Sequence, residues 1–271
     1  QVSTGKRIEK LSDDPVGAAY SIRYSTDIVK ENQYLSNIEA SEEILTATET
    51  ALSSANEVLG RIRDLTVQAA SSTNSENSRA SIKVEIEQLK EELVSLANTT
   101  YNGRYIFSGY KTNKPLMNDD GSYAITVEDT EGINYQVSEN NVMQVNILGT
   151  NIFGAGKATE KPKMIADLDN LITCISSGDT EGIRASLQDL DDAQDSVLAG
   201  MTEIGGKMNR LNLARNRVTN NVTYLKQAKS LNDDVDAAEA VTNLYTEKAV
   251  YSAALQIGAT VIQQSLLDFL R

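Results

Sequence analysis

The stretch from Ile38 to Ile62, IEASEEILTATETALSSANEVLGRI, decides how this chain is read. Ile38, Leu45, Leu52 and Leu59 recur every seven residues, and Ser41, Thr48, Ala55, Ile62 and Ala69 form a second series three positions behind them. Large residues thus alternate with small ones along one seam, as in a helix packed closely on another helix. Working backward, Ser12-Asp13-Asp14-Pro15 places an acidic cap before a proline whose missing N–H is harmless in a first helical turn. No further proline occurs before Pro115, so one helix is expected from about Pro15 to about Ser71.

Working forward, Ser71-Ser72-Thr73-Asn74-Ser75 breaks the pattern, and Thr73 with Glu76 fits a capping box for a second helix. Ile82, Ile86, Leu89, Leu93 and Leu96 follow at helical spacing, a narrow stripe that predicts an antiparallel partner for the first helix. Between Tyr101 and about Lys161 the period shortens to two. Tyr123–Val127, Ile133–Val137 and Val142–Ile147 read as short strands, with turn residues at Asp119-Asp120-Gly121 and Glu131-Gly132. Most of this insert is expected to be antiparallel sheet.

Helices resume after Pro162. A heptad series runs from Ile183 through Leu187, Leu190, Gln194, Val197, Met201, Ile204, Met208, Leu211, Arg215, Val218, Val222 and Leu225 to Lys229. At ~1.5 Å per residue it is about 70 Å long, which predicts an elongated molecule. Gln194, Arg215 and Lys229 are its long polar members, present either to fix register or because they lie past the partner's end. Gly205-Gly206 lowers helix propensity by about 1 kcal/mol per glycine, which close backbone approach or a kink would explain. After Asn232-Asp233-Asp234 a last amphipathic run carries Val241, Tyr245, Leu255, Ala259, Ile262, Leu266 and Phe269. The earlier helices can pair among themselves, so this stripe is expected to stand in solvent as a binding surface.

The fold class that follows is α+β, mainly α: an elongated antiparallel bundle of long helices with a small antiparallel β domain inserted. Four segments are expected: an amino-terminal helical arm at 1–100, the β-rich insert at 101–161, a carboxy-terminal arm at 162–234, and a terminal assembly helix at 235–271. The last is expected to be disordered or loosely packed by itself.

Composition narrows function. The 271 residues carry 25 Lys+Arg against 38 Asp+Glu, a net charge of −13 that repels phosphate backbones and anionic lipid, so nucleic acid is not an expected partner. There is no His and one Cys, which removes the commonest general base and metal ligand. Cys174, within Leu171–Ile175, reads as a small buried hydrophobe. The adjacent pairs Asp13-Asp14, Asp119-Asp120, Asp191-Asp192 and Asp233-Asp234 would point about 100° apart on a helix and do not converge on a substrate. Asn118-Asp119-Asp120-Gly121 lacks the remaining ligands of a calcium loop and reads as a hairpin turn. No catalytic, cofactor or metal site is expected. No run reaches the ~18 apolar residues of a membrane helix and no cleavable leader precedes Gln1. The chain opens in mid-pattern without Met, and a further segment upstream is expected.

Both ends of the sequence resemble the flagellin-like family of bacterial flagellar subunits. Val2–Ile8 (VSTGKRI) and Ser12–Ala19 (SDDPVGAA) are similar to the family's S-S-G-x-R-I and D-D-P-A-A stretches. Leu59–Ala70 (LGRIRDLTVQAA) resembles L-Q-R-I-R-E-L-A-V-Q-A, with Gly60 in place of the usual Gln. Ile204–Leu211 (IGGKMNRL) is similar to L-G-A-x-x-N-R-L, and Asp234–Glu239 (DVDAAE) to D-x-D-x-A-x-E. Asn102–Gly109 (NGRYIFSG) and Ser265–Leu270 (SLLDFL) resemble the hook–filament junction branch more than the filament flagellins.

The resemblance implies a self-assembling subunit whose terminal segments pair as helices lining a tube, with the insert facing outward. It implies neighbouring hook-associated protein and flagellin subunits, and unfolded export through the flagellar secretion channel without a cleavable signal. An export chaperone would hold the carboxy-terminal segment, the final location would be extracellular, and a truncated chain would be monomeric in solution. Arg61, Leu65 and Glu85 also align with positions where flagellins contact the innate immune receptor Toll-like receptor five. The plainer reading of those three is an exposed helical face with i,i+4 pairing. An unrelated coiled-coil adaptor would share the heptads but not the terminal motifs.

Overall fold

The computed structural model describes residues 4–8, 10, 12–71 and 76–269, with side chains described as far as residue 259. In chain order the elements are α1 (Pro15–Ala69), α2 (Glu76–Ala97), β1 (Thr100–Tyr101), β2 (Arg104–Tyr105), β3 (Asn134–Ser138), β4 (Asn141–Gln144), α3 (Gly149–Phe153), α4 (Lys163–Ser177), α5 (Thr180–Asp233) and α6 (Ala237–Phe269). They form two compact units, one of Tyr34–Arg217 and one of Gln1–Gln33 with Val218–Arg271.

α1 begins where the cap requires. Asp14 Oδ1 accepts the Gly17 N–H at 2.9 Å, and Pro15 occupies the first helical position. That amide bond, with the Arg7 guanidinium beside it, holds the Asp14 carboxyl below its ordinary value. Thr73 of the expected capping box for α2 lies outside the described residues.

In the unit Tyr34–Arg217 the α1 seam is the core: Ile38, Ser41, Leu45, Thr48, Leu52, Ala55, Leu59, Ile62 and Ala69 are all buried. α5 runs antiparallel to it. Arg63 Nε donates to Asp191 at 2.7 Å, Gly60 faces Gln194, Leu52 faces Gly200, and Arg215 pairs with Glu42, so partner numbers rise as α1 numbers fall. Arg215 therefore lies opposite its partner helix and not past its end. Gln194 lies over the bare backbone of Gly60, whose added Cβ would be 3.7 Å from Gln194 Nε2.

α2 returns along α1 and packs on α4. Ile82, Ile86 and Leu93 are buried, whereas Leu89 and Leu96 are half-buried. Lys90 Nζ reaches Asp169 of α4 at 2.8 Å, and Lys161 joins the same carboxylate. α4 stops at Gly178, whose positive φ of 73° lets its N–H return to the last carbonyls, and Asp179 then caps α5 through the Glu181 and Gly182 amides. Cys174 is a free, half-buried thiol against Gly182, less enclosed than its apolar neighbours suggested.

The insert departs from the expected sheet. It contains two separate two-stranded antiparallel pieces, β1–β2 and β3–β4. β1–β2 turns over Asn102-Gly103, both with positive φ, as a tight two-residue hairpin demands. Tyr123–Val127 is not a strand. Tyr123, Ile125 and Val127 are buried, which produced the alternating pattern, but their backbone finds partners one at a time. The Tyr123 N–H donates to Glu160 O, Tyr123 O accepts from Thr159, and Ala124 donates to Leu116 O. An isolated bridge from Met117 to Tyr123 closes the turn at Asn118–Ser122, where Asp120 accepts the Ser122 amide and hydroxyl. These bonds hold the Asp120 carboxyl below its ordinary value.

Two polar anchors organise the insert. The Asn98 side chain exchanges two hydrogen bonds with the Met117 backbone, tying the insert to the end of α2. Glu131 is 8% exposed and accepts from Lys111 Nζ at 2.9 Å and from the Tyr110 N–H at 3.2 Å. Burial alone would raise its pKa, but the Lys111 and amide bonds outweigh it and the carboxyl sits below its ordinary value.

Candidate assembly interface

α6 belongs to the second unit and starts at an acidic cap: Asp236 Oδ1 accepts the Ala238 N–H at 2.8 Å and the Glu239 N–H at 3.4 Å. Its Ala, Leu, Glu and Lys content favours helix, and the run is helical to Phe269. A helix that is exposed gains little from its own unit, and α6 is exposed along nearly all of its described length. Ala240 is buried and Leu244 half-buried; beyond them the chain has little to lean on.

The expected stripe is therefore in solvent. Val241 is 40% exposed, Tyr245 68% and Leu255 57%, and Ala259 is also exposed. Their spacing of four, ten and four places them on one heptad face. The side chains of Ile262, Leu266 and Phe269, on the same face by spacing, lie outside the described residues. Val250, Tyr251 and Ile257 are exposed as well and fall off that stripe. Apolar surface thus extends around much of α6, the pattern of a helix surrounded by others.

The second candidate face divides. Arg61 Nε and Nη2 both donate to Glu85 Oε1, at 2.9 and 2.6 Å, so their pairing joins α1 to α2 instead of running i,i+4 along one helix. Leu65 is only 3% exposed and contributes to the core. Of the three, Arg61 and Glu85 alone offer surface, and each is already engaged by the other. Gly205 and Gly206 sit in an uninterrupted α5, and a Cβ on either would meet nothing within 4 Å. No close approach among the described residues accounts for them.

Among the described residues no cluster of three or more His, Cys, Asp or Glu side chains is placed to hold a metal ion, and no helix is long and apolar enough to cross a membrane. A cleft of about 350 Å³ lies between α1 and the insert near Ile44, Tyr101, Tyr105 and Tyr135. Tyr101 there donates its hydroxyl to Glu43 at 2.7 Å.

Residues 1–112 match the bacterial flagellin N-terminal helical region and residues 187–270 match the bacterial flagellin C-terminal helical region. The chain belongs to the flagellin family. It is 31% identical over 233 residues to flagellar hook-associated protein 3 of Escherichia coli K12, covering 78% of this chain and 72% of that protein. It is 25% identical to the flagellar filament 30.7 kDa core protein of Treponema maltophilum, covering all of this chain and 90% of the relative. Among solved structures, a protein of Vibrio parahaemolyticus assigned as a flagellar hook-associated protein superposes with a TM-score of 0.74 at 25% identity, over 82% of this chain and 99% of that one. The flagellin matches take in α1, α2, most of α5 and α6, the elements that carry the seam and the exposed stripe.

Proposed function

We propose that this flagellin-family chain is the structural subunit that joins hook to filament in the bacterial flagellum, and that α6 is its assembly surface. The observation that carries the reading is the exposed apolar surface of α6, centred on Val241, Tyr245, Leu255 and Ala259 and continuing by spacing to Ile262, Leu266 and Phe269. A stripe of this size is a liability in a lone molecule and a driving force in a polymer. Each large side chain covered on assembly contributes about 1.5 to 3 kcal/mol, so a few suffice.

The neighbours are copies of this chain, other hook-associated protein subunits and flagellin. An export chaperone covers the carboxy-terminal segment before secretion, and export through the flagellar channel without a cleavable signal delivers the chain outside the cell. In the absence of its neighbours the chain is monomeric, and it performs no catalysis. The division at 101–161 and 235–271 assigns the insert to the outer surface and the last segment to assembly. A filament subunit is the alternative, favoured by the full-length match to the Treponema filament core protein.

The deciding experiment adds purified protein to isolated hooks and asks whether hook ends become competent to grow filament on later addition of flagellin. Wild type should confer competence, and Tyr245→Asp with Leu255→Asp should abolish it while leaving the melting profile of the monomer unchanged. Polymerisation of the chain into long filaments by itself would favour the filament role.

A further inference from the structure

No glycine and no proline occurs between Lys207 and Ile257, yet the helix breaks at Asp234–Asp236. Asn232, Asp233, Asp234, Val235 and Asp236 are weak helix formers and Asp236 suits an N-cap, so the local sequence permits a break without the glycine or proline that would force one. Tertiary contacts hold it open. Stopping α5 at Asp233 leaves the Leu231, Asn232 and Asp233 carbonyls and the Val235 N–H without helical partners, and residues 5–7 supply the last three. The Arg7 guanidinium donates to Asn232 O at 2.9 Å, the Arg7 N–H donates to Asp233 O at 2.7 Å, and Val235 N–H donates to Gly5 O at 3.1 Å. Lys6 adds a side-chain ion pair to Asp234, and Ser21 of α1 donates its hydroxyl to Asp233 at 2.7 Å. On the far side, the Asp236 carboxylate caps the first amides of α6.

A continuous helix would satisfy the same backbone groups internally, through i to i−4 bonds. The two arrangements therefore exchange one set of hydrogen bonds for another, which is the condition for a two-state element. We propose that residues 5–7 act as a latch on the α5–α6 junction: docked, they hold the helix broken at Asp234–Asp236, and released, they let α5 and α6 join into one continuous helix that re-aims the assembly surface of α6.

Spin labels at two exposed α5 and α6 positions, Lys226→Cys and Lys248→Cys, in a Cys174→Ser background, read the junction by pulsed electron spin resonance. In a continuous helix these 22 residues place the backbone sites about 33 Å apart at ~1.5 Å per residue. Ala237→Pro defines the broken reference, because proline is accepted in the first turn of α6 and is incompatible with a helix running through it. Wild type should match Ala237→Pro. Lys6→Ala with Arg7→Ala should shift the distribution to about 33 Å, and adding Ala237→Pro to that pair should restore the wild-type distance. The proposal is overturned if the latch variants keep the Ala237→Pro distance. It is equally overturned if they give a broad distribution with loss of helical circular dichroism, which would make residues 5–7 a support for α6 and not a latch.

Discussion

Three glycines on α5 separate by the sign of their replacement, and Gly205→Ala with Gly206→Ala is the informative pair. An alanine gains about 1 kcal/mol over glycine in a helix interior, mostly by restricting the unfolded chain. At Gly205 and Gly206 the new methyl meets nothing within 4 Å, so no packing penalty offsets that gain. The double variant should be about 2 kcal/mol more stable, which for a unit the size of Tyr34–Arg217 raises the melting temperature by about 4 to 8 °C. Gly200 sits about one and a half helical turns earlier and reverses the outcome. A Cβ there would fall 2.4 Å from Ile152 Cδ1 and 3.2 Å from Leu52 Cδ1, both on buried side chains. Overpacking of about 1 to 3 kcal/mol cancels or exceeds the propensity gain. Thermal melts by circular dichroism at 222 nm compare the three proteins. A lowered melting temperature for the double variant, or a Gly200→Ala protein stabilised as much as it, would refute the assignment of Gly205 and Gly206 to open surface.

Glu131→Gln removes the charge that Lys111 and two loop segments share, and urea unfolding should show a loss of about 1 to 3 kcal/mol. Because the folded pKa of Glu131 is lowered, its contribution is present above the ordinary carboxylate range and is lost as pH falls through the lowered value, so the variant should show a shallower acid-induced decline than wild type. Arg61→Ala breaks an interhelical pair whose side chains are 54% and 41% exposed, and the cost should stay below about 1 kcal/mol and shrink further in high salt. Tyr123→Phe strips the hydroxyl that donates to Gly154 O from a side chain 1% exposed; leaving that carbonyl unsatisfied should cost about 1 to 3 kcal/mol in the same unfolding assay.

The helical half of the fold was legible because its signals are local and redundant. Asp14-Pro15 caps and the Ile38–Ala69 seam repeats, and each acts within a turn or two of its own position. The insert was less legible because its order comes from side chains reaching across loops. Nothing in the spacing of Lys111 and Glu131 announces their pair, and the alternation at Tyr123, Ile125 and Val127 reported burial without a strand ladder. Asn102-Gly103 was a readable hairpin signal that the motif around it obscured. For the interface, the exposure of Val241, Tyr245 and Leu255 followed from counting which apolar faces had no partner left. The role of Arg7 did not follow, since its partners lie 225 and 226 residues away.

The two kinds of apolar seam differ in how they treat their polar members, and that difference says what α6 needs. In the α1 seam the buried hydroxyls are satisfied by their own helix: Ser41 donates to Asn37 O at 2.6 Å, Thr48 to Ile44 O at 2.8 Å and Thr66 to Ile62 O at 2.7 Å. Such a seam asks nothing polar of its partner, and ion pairs such as Arg63–Asp191 and Arg215–Glu42 are left to set register. On α6 the positions between Tyr245 and Leu255 in the same stripe are Lys248 and Ser252. Ser252 donates to Lys248 O at 2.9 Å, so it too is satisfied within its helix and can be covered without a polar partner. The Lys248 ammonium cannot satisfy itself this way, and covering it unpaired would forfeit much of what the apolar side chains gain. A helix that covers this stripe must bring apolar surface to Val241, Tyr245 and Leu255 and an acceptor to Lys248, which selects both the partner and its register.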